Sequence, residues 1–180
     1  MIEQLINPKT NNFHQLKELV LSFNFAWHWN SVSVFDPIDD PIGDSKYENF
    51  GYYSHCFLGS PGGYPGKPLH SIPSSSFLSL AHDVTLEILH HNNVQPQVIY
   101  RLHANCVHPT KTNKPGFPHT DHSFPHKNLI VYLTDTYGGD TIVEEKTFSG
   151  KEDEVILFSG EHYHYPPVEE RRIVLVSTLL

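Results

Sequence analysis

The stretch NLIVYLTDTYGGDTIVEE, residues 128–145, decides the fold. Between Asn128 and Asp135 its first residues, LIVYLT, are β-branched, aromatic or apolar, as a half-buried or buried strand requires. Gly138-Gly139 supplies a tight turn, after which GDTIVEE (139–145) resumes a strand-like run. The pattern continues in both directions: QVIYRLHANCV (97–107) lies upstream, and DEVILFS (153–159) and RRIVLVSTL (171–179) lie downstream. Pro109, Pro115-Gly116, Ser149-Gly150 and Pro166-Pro167 punctuate the runs. Many short strands separated by turns predict a mainly β architecture, a β-sandwich or jelly-roll barrel.

Two helical patterns precede it. Phe13, Leu16, Leu19, Val20 and Phe23 recur at helical spacing within residues 12–24. FLSLAHDVTLEILHH carries Leu78, Leu80, Val84 and Leu86 to Leu89 on one side, with Ser74 to Ser76 available as caps. These helices are expected to pack on one sheet. Between them, residues 25–75 are rich in Pro, Gly, Ser and aromatics: DPIDDPIGD and GSPGGYPGKP read as turns, and NFGYYSHCFL (49–58) reads as a strand. Long ordered loops of this kind tend to form lids or mouths, and Tyr47, Tyr52, Tyr53, Phe57 and Tyr64 are the aromatic candidates. With 180 residues and neither repeat nor linker, one domain is expected over 1–180: helical support over about 1–95 and a β core over about 96–180.

Composition removes several function classes. No run of 18 apolar residues exists, so no membrane span is expected. The start, MIEQLINPKTNN, lacks the basic-then-apolar layout of a signal peptide, and a soluble, cytoplasmic protein is the expectation. A net charge of −8 argues against a nucleic-acid footprint, which needs a basic patch. Cys56 and Cys106 are expected as reduced thiols. Fourteen histidines are too many for one metal, so spacing alone discriminates among them.

His119-Thr120-Asp121 has that spacing. Residues i and i+2 of an extended strand share a face, so an imidazole and a carboxylate can address one point. A third ligand from His162 or His164, about forty residues on, completes a two-histidine, one-carboxylate set of the kind that binds non-haem Fe(II) with open positions. His162 and His164 have the same strand parity, so geometry does not choose between them. Arg171 and Arg172 have opposite parity, so only one faces inward, where a guanidinium can grip a carboxylate through two parallel bonds. The bland alternative for PGFPHTDHSFPH is a Pro-rich surface turn.

From Tyr100 to Leu180 the chain resembles the double-stranded β-helix core of the Fe(II)/2-oxoglutarate-dependent dioxygenases, in the prolyl-4-hydroxylase-like branch with its small phage and bacterial members. The resemblance rests on Tyr100 and Asn105, His119-Thr120-Asp121, Tyr132 to Asp135, Gly138 to Thr141, Val155 to Phe158, His164 and Arg172. It implies a jelly-roll, cupin-like barrel with N-terminal helices on one sheet. It implies Fe(II) on His119, Asp121 and His164, the last chosen because it follows Phe158-Ser159-Gly160 and precedes Pro166-Pro167. It implies 2-oxoglutarate held by Arg172 and Tyr132 in a pocket that Asn105 and Tyr100 line, with O2 as oxidant and ascorbate as a candidate reductant. The implied reaction hydroxylates a prolyl, peptidyl or small-metabolite C–H bond with release of succinate and carbon dioxide. Asp121 favours hydroxylation or demethylation over halogenation, since halogenating relatives lack that carboxylate. The competing class is a non-catalytic cupin-like metal- or ligand-binding module, which needs neither His-x-Asp nor a late-strand arginine.

Overall fold

A computed structural model of the chain describes residues 2–33, 46–59 and 71–180. In chain order the elements are β1 (Glu3–Leu5), α1 (Asn11–Leu21), β2 (His28–Asn30), β3 (Tyr52–Gly59), β4 (Ile72–Pro73), α2 (Leu78–His91), β5 (Ile99–Val107), β6 (Lys127–Tyr132), β7 (Thr141–Val143), β8 (Lys146–Phe148), β9 (Val155–Phe158), β10 (His162–His164) and β11 (Arg172–Leu179). The fold is mainly β, and the strand pairings given are antiparallel. One sheet runs β1-β9-β6-β11-β5-β3-β2, with β4 beside β3; a smaller sheet runs β10-β7-β8. No helix among the described residues is long and apolar enough to cross a membrane.

Strand alternation separates two cores. Leu102, Ala104 and Cys106 of β5, Leu129 and Val131 of β6, and Ile173 and Leu175 of β11 share a cluster with Phe13, Leu16 and Val20 of α1 and Ala81, Val84, Ile88 and Leu89 of α2. The intervening residues, Ile130, Tyr132, Val174 and Val176, join Val143, Ile156 and Phe158 in a second cluster. Both faces of the central strands are thus buried, which is why RRIVLVSTL reads as a nearly continuous apolar run. At about 25 cal/mol per Å² of apolar surface, the fully buried leucines and isoleucines of the first cluster are worth roughly 2 kcal/mol each.

Local details depart from the sequence reading. Thr10 caps α1 by accepting from the Phe13 N–H at 3.2 Å. The helix ends at Leu21, so Phe23 falls beyond it and is 96% exposed. No side chain caps the N-terminus of α2. Ser75 Oγ instead accepts from the Phe77 N–H at 3.1 Å and pairs with His55 Nε2 at 2.9 Å. The GDTIVEE run is two elements, a β7 of three residues and a turn into β8. Cys56 and Cys106 are free thiols. The stretch DPIDDPIGD, most of GSPGGYPGKP and Tyr64 lie outside the described residues.

Candidate metal centre and its cavity

The face of the large sheet opposite the helices opens into a cavity of about 540 Å³. Alternation decides what enters it: Arg101 and Asn105 from β5, Asn128, Ile130 and Tyr132 from β6, and Arg172, Val174 and Val176 from β11. The other wall carries His119 and Asp121, from the segment after β5, together with Thr141, His162 and His164 from the small sheet.

His119 and His162 face each other across an isolated antiparallel bridge. The His119 N–H donates to His162 O at 2.9 Å, and the His162 N–H returns to His119 O at 3.0 Å. That pairing sets the rings side by side, with centroids 4.5 Å apart. His119 Nδ1–H donates to Phe117 O at 2.9 Å, and His162 Nδ1–H donates to Gly160 O at 3.3 Å. A carbonyl can only accept, so each Nδ1 carries a proton, and it is Nε2 of each ring that is left to face a ligand. The ligand atoms of His119, Asp121 and His162 lie within 4.8 Å of one another, and His162 Nε2 is 3.7 Å from Asp121 Oδ2.

Electrostatics favour the ligating forms. Burial alone would raise the Asp121 carboxyl, but the Arg101 guanidinium, with His162 and His119, outweighs it and holds that carboxyl well below the usual carboxylate range. Burial pushes His162 down to about 4, against the pull of Asp121. Near neutral pH the site therefore presents one carboxylate and a neutral His162. Two imidazole nitrogens and a carboxylate with open positions are a donor set suited to Fe(II).

His164 stands elsewhere. Its Nδ1 pairs with Thr141 Oγ1 at 3.0 Å, and Thr141 Oγ1 pairs in turn with Tyr132 Oη at 2.8 Å. Its ring centroid is 6.4 Å from that of His119, and it is absent from the group whose ligand atoms converge. The sequence reading chose His164 as distal ligand, whereas the histidine whose ligand atom converges with those of His119 and Asp121 is its alternative, His162. Parity offered both, and the bridge to His119 is a long-range pairing that parity does not reveal. Burial, then Arg172, hold His164 well below its ordinary value, and burial pushes Tyr132 up to about 12, so both stay neutral.

Arg172 is 4% exposed and lines the cavity, whereas Arg171 is exposed. Arg172 Nη1 donates to Gly139 O at 2.6 Å and to Tyr165 O at 3.4 Å, while its Nε is buried with no partner among the described residues. Asn105 Oδ1 is likewise buried and unpartnered on the same cavity. Orphaned buried polar atoms on residues that line a cavity mark a place where a polar partner is missing.

Tyr100 is a correction: its parity is opposite to that of Asn105, and it does not line the cavity. Its ring lies 5.1 Å from His122 and 5.3 Å from Phe124. Of the aromatic mouth candidates, Tyr52 lines the cavity, while Phe57 is fully buried in the helix-side core. Tyr53 points away and packs on Trp29, and Tyr47 packs on Phe117 and Tyr163. The sequence reading missed Arg101, Asn128 and Thr141. Arg101 carried a usable signal, since it shares the parity of Asn105 on one strand.

No protein-family model and no curated protein matches the chain. Among solved structures it is similar to an oxidoreductase of the 2OG-Fe(II) oxygenase family from Burkholderia pseudomallei, with a TM-score of 0.68 and 14% identity over 99% of this chain and 84% of that one. The likeness is one of fold. Weaker matches are a viral collagen prolyl hydroxylase from Paramecium Bursaria Chlorella virus-1 in its 2OG complex (TM-score 0.48, 14% identity, 71% of this chain and 78% of that one) and a Pseudomonas putida prolyl-4-hydroxylase (TM-score 0.43, 12% identity, 72% and 68%). These two carry no weight beyond it.

Proposed function

We propose that this protein is an Fe(II)- and 2-oxoglutarate-dependent oxygenase that hydroxylates a C–H bond of a peptide or small-molecule substrate. The observation that carries the reading is one cavity bearing both a converging His119, Asp121 and His162 and a buried guanidinium, Arg172. The two sheets are then read as a double-stranded β-helix, and the whole chain as one domain, with helical support over about 1–95 and the core over about 96–180.

His119, Asp121 and His162 would hold the metal. Bound there with 2-oxoglutarate and dioxygen, it supplies an oxidative decarboxylation to succinate and carbon dioxide coupled to substrate hydroxylation. The residues of the chain bind, orient and exclude water. Arg172, with its free Nε–H, anchors the far carboxylate of the cosubstrate. Tyr132, Thr141 and His164 form a neutral hydrogen-bonded line between Arg172 and the triad. Such a line can donate to an anion without bringing a competing charge. Asn105 and the apolar Val174 and Val176 complete the wall.

The test is metal-dependent succinate formation. Protein reconstituted anaerobically with Fe(II), 2-oxoglutarate and ascorbate should yield succinate when air is admitted, slowly even without a prime substrate. Succinate no higher than in a metal-free control would favour the cupin-like binding module.

A further inference from the structure

Arg101 acts so far only as a charge beside Asp121, yet its bond to that carboxylate is directional. Thr178 on β11 is paired with Arg101 on one side and with Asn128 on the other. These two side chains therefore flank one row of the sheet, on its cavity face. Asp121 comes down onto that row. Arg101 Nη2 donates to Asp121 Oδ1 at 2.6 Å, and Asn128 Nδ2 donates to Asp121 Oδ2 at 2.7 Å. Thr178 Oγ1 donates to Asn128 Oδ1 at 3.4 Å, which turns the amide nitrogen toward the carboxylate.

The two carboxylate oxygens are not equivalent. Oδ2 is the one that approaches His162 Nε2, at 3.7 Å. Oδ1 carries the ion pair with Arg101, between side chains 22% and 12% exposed. A carboxylate can give a metal one oxygen or both. Both bonds end on an ionised oxygen, but only the one to Oδ1 comes from a cationic donor and adds a full ion pair, so Oδ1 is the oxygen held back. Resting on the metal reading above, we propose that Arg101 is a positioning residue that keeps Oδ1 off the metal. Asp121 is thereby a one-oxygen ligand through Oδ2, and one more coordination position stays open. Asn128 sets the direction of Oδ2, and Arg101 sets the denticity. The rival account is that Arg101 merely offsets a buried negative charge and leaves the coordination number alone.

Water counting on Mn(II) separates the two. Mn(II)-loaded wild type and Arg101→Met, both checked for folding by circular dichroism, are compared by broadening of the Mn(II) paramagnetic resonance in oxygen-17-enriched water. The variant should hold one bound water fewer, because the released Oδ1 takes its position. An unchanged water count in a variant that still binds Mn(II) overturns the proposal and leaves the metal reading standing. Crystals of Mn(II)-loaded wild type give a second reading independent of variant folding. Oδ2 alone should lie at bonding distance with Oδ1 still on Arg101, and both oxygens on the metal overturns the proposal. Wild type that binds no Mn(II) in either experiment refutes the metal reading itself, and this proposal with it.

Discussion

Replacing Arg172 by Gln is the perturbation whose size is best constrained by the structure. The guanidinium is 4% exposed, and its Nε–H has no partner among the described residues. Its one short bond, 2.6 Å to Gly139 O, uses Nη1 alone. A dicarboxylate reaching from the triad would thus meet a pre-paired, desolvated cation with a free donor. Removing one partner from such a buried charge pair costs about 2–5 kcal/mol by analogy with interfacial pairs. At about 1.4 kcal/mol per factor of ten, even the low end exceeds a tenfold rise in apparent KM for 2-oxoglutarate. Some stability is also lost, because an unpaired buried carbonyl costs about 1–3 kcal/mol. A Gln amide able to donate to Gly139 O keeps that loss small. Metal affinity should be unchanged. Arg171→Gln, at an exposed position, should be nearly silent. Steady-state succinate production against 2-oxoglutarate concentration, for both variants, is the assay. A normal Arg172→Gln beside a defective Arg171→Gln would refute the anchor assignment, and small equal effects would mean that the cosubstrate is held elsewhere.

Three further expectations follow from other parts of the molecule. In Mn(II) titrations His162→Ala should lose tight binding while His164→Ala retains it, and the reverse result would restore His164 as the ligand. Burial and Arg101 lower His103 to about 3, so between pH 6.5 and 3 the unfolded chain takes up a proton that the folded chain refuses. The stability this group confers is therefore fully present above pH 6.5 and falls on acidification; the melting temperature of metal-free wild type should drop more between pH 7 and pH 5 than that of His103→Gln, and parallel losses would contradict this. A Cβ at Gly150 would lie 2.6 Å from the ring of Tyr132, which is fully buried and bonded to Thr141; Gly150→Ala should destabilise by about 1–3 kcal/mol in denaturant unfolding, and an unchanged midpoint would mean that the ring has room to move.

How much of this was legible in the sequence depends on the range of the interaction. The strands β6, β9 and β11 announce themselves because burial on both faces writes apolar runs directly into the chain, and β5 because its residues alternate between core and cavity. The β7–β8 hairpin does not. Its turn residues Glu144 and Glu145 take φ of 47° and 70°, a turn that normally calls for Asn or Gly, so the usual signal is missing. β1 is three residues long and is stabilised by pairing with β9, far away in sequence. In the site, parity fixes which residues can share a face and nothing more. It kept Arg172 apart from Arg171 and, applied to β5, would have preferred Arg101 to Tyr100. It could not part His162 from His164, because the choice is made by the bridge to His119.

The most direct measurement is anomalous diffraction at the iron edge from crystals prepared without oxygen and soaked with Fe(II) and 2-oxoglutarate. The account predicts one strong peak bonded to His119 Nε2, Asp121 Oδ2 and His162 Nε2, with the keto acid on the metal and its far carboxylate on Arg172. Iron bound at other residues, or at this triad with Arg172 facing no carboxylate, would contradict it.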